Sequence, residues 1–132
     1  MLIRIDKALE EPLYLQIYLQ VIAAIAREEV VPGESLPSVR SLAYDLGINL
    51  HTVNKAYALL RDEGYLVMHG RSGAVVADPT KSTGSQKSET AMIHMGEALQ
   101  KLALAHRARG GTAREFMASA ESAVEQAYGR DD

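Results

Sequence analysis

Residues 36–57 read LPSVRSLAYDLGINLHTVNKAY, and the short break in the middle of this stretch decides the fold. Val39, Leu42, Ala43 and Leu46 recur at the spacing of one helix face. Ser38 stands just ahead of them, where a hydroxyl can cap the first turn. Gly47 stands just behind, where glycine enters the left-handed conformation that ends a helix without a Cβ penalty. A second stripe begins almost at once: Val53, Ala56, Tyr57 and, past the quoted stretch, Leu60. Asn49 is its expected N-cap. Two short helices joined through Gly-Ile-Asn have helix-turn-helix spacing. The opposite face of the second helix carries His51, Thr52, Asn54, Lys55 and, further on, Arg61.

Upstream, residues 12–29 read as a helix, with Pro12 suited to its first turn and Leu13, Ile17, Val21, Ala24 and Ile25 as its apolar stripe. Pro32-Gly33 breaks it. Downstream, Gly64 stops the second helix of the motif. Leu66–Met68 and Ala74–Val76 then read as two strands around a polar tip that contains His69, Gly70, Arg71 and Gly73. A hairpin at that position is a wing. Residues 78–88 hold no large apolar residue and read as a linker. Met92, Met95, Leu99 and Leu102 follow at alternating three and four spacing, the seam of a packing helix. Gly110-Gly111 ends it. Thr112 and Glu115 form a capping box ahead of a second stripe containing Phe116, Ala120, Ala123, Val124 and Ala127. Two helices alone rarely bury enough apolar surface to be stable, so this hairpin calls for a partner, and a second copy is the economical one.

The expected architecture is mainly α with a small β-hairpin wing: a winged helix-turn-helix over residues 1–77, a linker over 78–88, and a dimerising helical hairpin over 89–129. The chain has 132 residues and no cysteine. Disulfides and thiolate metal sites are excluded, which agrees with a cytoplasmic location. The opening MLIRIDKALEEP lacks the apolar core of a signal peptide, and no apolar run has the roughly 20 residues of a membrane span. The net charge is −3. Residues 1–78 hold 7 Lys/Arg against 10 Asp/Glu, and residues 79–132 hold 7 against 7. Nucleic-acid binding therefore has to rest on where the cations stand rather than on bulk charge.

In a helix-turn-helix the N-terminal turns of the second helix enter the major groove. Asn54 can pair with adenine, Thr52 can reach a base or a phosphate, and Lys55 can reach guanine or phosphate. His51 shares their face. Arg40, in the first turn of the preceding helix, can reach phosphate. Ser38 and Asn49 stand at helix N-termini, whose N–H groups favour anions. His69, Gly70 and Arg71 suit contacts to the DNA backbone or minor groove from the wing. Each reading has a plainer rival, a solvated helix face or hairpin tip, and a surface ion pair of Arg40 with Asp45 or Glu34. The combination of three helices, motif spacing and wing favours DNA. The four histidines form no second cluster beyond His94-x-x-Glu97, so no metal site and no cofactor are expected. No phosphate loop or nucleophile elbow argues for an enzyme.

The pieces PGESLPSVRSLA, TVNKAY and EGYL resemble the winged helix-turn-helix domain of GntR-type bacterial transcription regulators. The short two-helix C-terminus resembles their YtrA-type subfamily. The resemblance implies a homodimer binding a near-palindromic operator, usually as a repressor, often beside transporter genes. It implies that Arg40 is the DNA-contacting arginine before the turn, that Thr52 and Asn54 contact DNA from the recognition helix, and that His69 and Gly70 form the wing tip. Many relatives have arginine where this chain has Leu50 and Asn54, and Gly-Thr-Phe-Val where it has Gly73-Ala74-Val75-Val76. The expected dimer contacts are Met92, Met95, Leu99, Leu102, Phe116, Ala120 and Val124. Two other readings stand beside this one: a winged-helix module that binds protein rather than specific DNA, and a switch that senses a small-molecule effector near the hairpin.

Overall fold

The computed structural model describes residues 2–70, 73–79 and 84–129, with side chains from 89 onward in the last stretch. In chain order the elements are α1 (Leu13–Ala26), α2 (Val39–Leu46), α3 (Leu50–Asp62), β1 (Leu66–Met68), β2 (Ala74–Val76), α4 (Gly84–Ala108) and α5 (Ala113–Tyr128). They fall into two units, Met1–Thr80 and Lys81–Asp132.

In the first unit α3 is the centre, packed by both α1 and α2. Its inner face, Val53, Ala56, Tyr57 and Leu60, is at most 1% exposed. Ile17, Val21 and Ala24 of α1, Leu42 and Ala43 of α2, and Leu66, Ala74 and Val76 of the wing join it in the core, with Ile3, Val30 and Leu36 from the connecting segments. Burying each large aliphatic side chain contributes about 1.5–3 kcal/mol. The caps are as the sequence suggests. Ser38 Oγ accepts from Ser41 N at 3.0 Å, Asn49 Oδ1 accepts from His51 N at 2.7 Å, and Gly47 sits at φ 65°.

The wing is an antiparallel pair with Leu66 opposite Val76 and Met68 opposite Ala74. The segment before α2 adds a third, very short edge: Gly33 N donates to Val76 O, Val76 N to Glu34 O, and Leu36 N to Ala74 O. The wing is thereby tied to the start of α2, which fixes its angle to the helices.

Two features differ from the sequence reading. The first helix ends at Ala26 rather than at residue 29. Glu28 turns left-handed, at φ 60°, which reverses the chain so that Val30 can enter the core at 2% exposure. A second difference lies before the C-terminal hairpin. Residues 84–88, read as linker, open α4. Gln86, Lys87 and Glu89 are good helix formers, and extending an existing helix avoids the nucleation cost.

The N-terminal segment is held by a device that apolar periodicity does not reveal. Gln16 Oε1 accepts from Asp6 N at 2.8 Å, and Gln16 Nε2 donates to Asp6 O at 3.0 Å. One turn along, Gln20 repeats the pairing with the N and O of Arg4. Each amide mimics one rung of a β-ladder, and Ile3 and Ile5 are pinned against the core.

In the second unit α4 and α5 form a hairpin. Thr112 and Glu115 make the full capping box. No residue of α5 is buried, and Met92, Met95, Leu99, Leu102 and Val124 are 45–61% exposed.

Candidate nucleic-acid interface

The N-termini of α2 and α3 converge because the turn between them is so short. Gly47 N donates to Tyr44 O and Ile48 N to Ala43 O, which closes α2. Asn49 then caps α3 immediately. Tyr57 locks the pair from beneath. Its hydroxyl donates to Pro37 O at 2.7 Å, so the middle of α3 holds the entry to α2. Burial disfavours the phenolate and pushes the Tyr57 pKa up to about 12. On the far side, Tyr18 of α1 donates to the Glu63 carboxylate at the end of α3. Burial, then that hydrogen bond and the Glu63 charge, keep the Tyr18 hydroxyl protonated far above its usual range.

Between the two N-termini and the wing lies an open groove of about 380 Å³. Ser38 and Arg40 line it from α2, His51 and Asn54 from α3, and Gly70 from the wing. Val39, Leu50 and Met68 are its apolar lining. Five of the ten residues expected to meet DNA thus share one concavity. Arg40 has neither of its suggested ion pairs: among the described residues no carboxylate bridges it, and Glu34 Oε1 accepts instead from Val31 N. The capping bonds of Ser38 and Asn49 use one oxygen each, which leaves Oγ–H and Nδ2 to donate outward.

The other five stand differently. Asn49 is exposed at the rim, and Thr52 is half-buried. Lys55 turns toward α1, with Nζ 4.1 Å from the centre of the Tyr14 ring. His69 is exposed at the wing, its backbone N donating to Gly73 O. Arg71 lies outside the described residues. Arg61, outside those ten, is bridged to Asp62 at 3.0 Å.

Sequence reasoning passed over three residues here. Leu50, 37% exposed, and Met68 give the groove an apolar patch that can meet a thymine methyl. The exchange of a common arginine for Leu50 was the available signal. Tyr44 is 88% exposed, one helical turn beyond Arg40.

Among the described residues no group of three potential ligands could hold a metal ion, and no helix is long and apolar enough to cross a membrane.

A helix-turn-helix whose two N-termini and wing enclose one groove lined by Ser38, Arg40, His51 and Asn54 defines a winged-helix DNA-binding domain. Residues 13–76 match the bacterial regulatory proteins, gntR family. The chain is similar to YtrA from Sulfolobus acidocaldarius, a GntR-family transcription factor, with 33% identity and a TM-score of 0.64, covering 94% of this chain and 97% of that one. It is 37% identical over 83 residues to the transcriptional repressor YtrA of Bacillus subtilis, spanning 62% of this chain and 63% of that one. The DNA-binding domain of AraR, solved in complex with operator ORX1, matches 56% of this chain and 93% of that domain with 25% identity and a TM-score of 0.51. The chain belongs to the GntR family, is similar to its YtrA members, and carries the family's winged-helix domain. It spans just under two thirds of the length of the curated relatives of similar size that it matches.

Proposed function

We propose that this regulator is a repressor that binds a near-palindromic operator as a homodimer. The observation that carries the reading is the groove in which Ser38, Arg40, His51 and Asn54 meet the wing. Arg40 and the capped helix N-termini engage phosphate and set the register. Asn54 and His51 read base edges, while Leu50 and Met68 meet thymine methyls. Dimerisation through Met92, Met95, Leu99, Leu102, Phe116, Ala120 and Val124 brings two recognition helices to major grooves roughly 34–36 Å apart. The second half-site contact then becomes intramolecular. Occupancy blocks the polymerase sterically. The repressor role of YtrA from Bacillus subtilis supports this sense of regulation, and fragments beside transporter genes are the first to test.

The test is gel shift of the chain with genomic fragments over a range of salt concentrations. A fragment retained far above bulk DNA supports the reading. Uniform weak binding to all fragments at low salt, by protein that sediments as a dimer, overturns it. A solution monomer with a folded hairpin overturns the dimer.

A further inference from the structure

The groove at the N-termini of α2 and α3 holds an apolar patch built from three elements. Val39 stands in the first turn of α2, Leu50 opens α3, and Met68 ends β1. Val39 and Met68 are half-buried and pack against the core, which fixes their positions. Leu50 takes no part in that core and is 37% exposed. A leucine left open among Ser38, Arg40, His51 and Asn54 forgoes the burial that would favour it. The base edges of the major groove offer it one apolar group, the 5-methyl of thymine. The cations of α3 are engaged elsewhere. Lys55 Nζ lies 4.1 Å from the centre of the Tyr14 ring, and Arg61 pairs with Asp62 at 3.0 Å. The helix therefore offers the groove Leu50, His51 and Asn54, with no lysine or arginine among them for the paired acceptors of guanine.

We infer that the core of each operator half-site is a thymine and an adenine at fixed spacing. The thymine methyl is held by Val39, Leu50 and Met68, and the adenine pairs with Asn54. Leu50 and Asn54 are one helical turn apart on the same side of α3, about 6 Å along its axis. That is the rise of one to two base pairs at ~3.4 Å each. A guanine or cytosine edge at the Leu50 position would face apolar side chains and lose its water without gaining a hydrogen bond. An adenine there would bring its N6 amine to the patch and carry the methyl to the other strand. The patch therefore selects one base pair in one orientation. The end of β1 joins the recognition helix in reading bases, while Arg40 and the helix N-termini engage phosphates and carry no sequence. This rests on the operator-binding reading and adds the bases that it leaves open.

The experiment uses the full chain and the duplex it retains selectively in gel shift. Each thymine of a half-site is replaced in turn by deoxyuridine, which removes the 5-methyl and keeps every hydrogen bond. Affinities of the parent, Leu50→Ala and Asn54→Ala are measured by fluorescence anisotropy at one salt concentration. One thymine is expected to stand out, with its deoxyuridine duplex binding the parent about three- to tenfold more weakly, the worth of one buried methyl. Leu50→Ala should erase that penalty with its circular dichroism unchanged, since the side chain lies outside the core. Replacing an adenine one or two pairs from that thymine should weaken the parent and leave Asn54→Ala unaffected. If every deoxyuridine duplex binds as tightly as the unmodified one, or if Leu50→Ala keeps the penalty, the thymine assignment is wrong and operator binding stands. If the adenine replacement weakens Asn54→Ala as much as the parent, the pairing of the two bases is wrong. If no fragment is retained above bulk DNA, the operator reading fails and this inference fails with it.

Discussion

The ammonium of Lys55 lies 4.1 Å from the centre of the Tyr14 ring, so α1 holds a side chain that projects from α3. An exposed cation over an aromatic face is worth about 0.5–1 kcal/mol. That is enough to bias the lysine away from the groove but not enough to keep it from a phosphate. Lys55 is therefore expected to contact the DNA backbone rather than a base. Lys55→Ala should weaken operator and unrelated DNA by similar factors and reduce the salt slope of binding by about 1. Tyr14→Phe keeps the aromatic face and should change little. Asn54→Ala, by contrast, should alter which bases are preferred. Fluorescence anisotropy across a salt series, on operator variants, separates these outcomes. A change of base preference in Lys55→Ala would contradict the assignment.

The hydrogen bond from Tyr57 to Pro37 O ties the recognition helix to the entry of α2. Removing it in Tyr57→Phe should cost about 1 kcal/mol, the net worth of one such bond. Burial raises the Tyr57 pKa to about 12, above the ordinary value of 10.0. The unfolded chain therefore loses this proton first. The contribution of Tyr57 is complete below the ordinary value and disappears as pH rises through the folded one. Urea unfolding between about pH 9 and about pH 12 should show a steep alkaline loss of stability. That loss should be shallower in Tyr57→Phe, and an identical pH profile would refute it.

Much of this arrangement was legible in the sequence because local rules and tertiary needs agree. The Gly47 turn, the Ser38, Asn49 and Thr112 caps and both wing strands are local signals, each written in a few adjacent residues. The residues that escaped act through distance. Gln16 and Gln20 look like polar interruptions of an apolar stripe, but they pair with backbone ten and sixteen positions away. No periodicity argument reaches that far. Residues 84–88 lack apolar side chains and so read as linker, yet they are helical, because helix formation itself requires no apolar side chain. Within the groove, His51 and Asn54 are legible from their shared helix face, and Ser38 and Arg40 from the start of α2. The apolar contribution of Met68 depends on how the wing folds back over α3, which spacing along α3 cannot express.

Glu115 closes the capping box, accepting from Thr112 N at 2.7 Å. Hydrogen bonds from the Thr112 backbone and hydroxyl, with His106 as a lesser influence, hold its carboxyl below the usual range. A depressed carboxyl stabilises the folded state above its unfolded pKa, and this is lost as pH falls through the lower folded value. The start of α5 should therefore loosen as pH falls below the ordinary carboxylate range. Thr112→Ala should cost about 1 kcal/mol at neutral pH, as loss of an N-cap does. It should also flatten the acid response. Hydrogen exchange of the first α5 amides, followed from neutral pH into acid, is the measurement. Equal protection in the variant and the parent would count against the box as the source.

Met92, Met95, Leu99 and Leu102 follow one another along one stripe of α4, and all are 45–61% exposed. A two-helix hairpin with no buried residue in its second helix is too small to be stable by its own core. A second hairpin laid against the first would bury this stripe and Val124 together. Leu99→Glu and Leu102→Glu each put a carboxylate in the middle of that contact, where it would be desolvated without a partner. Both variants are expected to sediment as monomers, with the first unit still folded by circular dichroism. Half-site binding should persist while operator affinity falls by about 10²–10⁴, the usual gain from linking two sites. If the variants dissociate and keep full operator affinity, the protein reads DNA as a monomer. If they stay dimeric, the dimer forms through a surface other than this stripe.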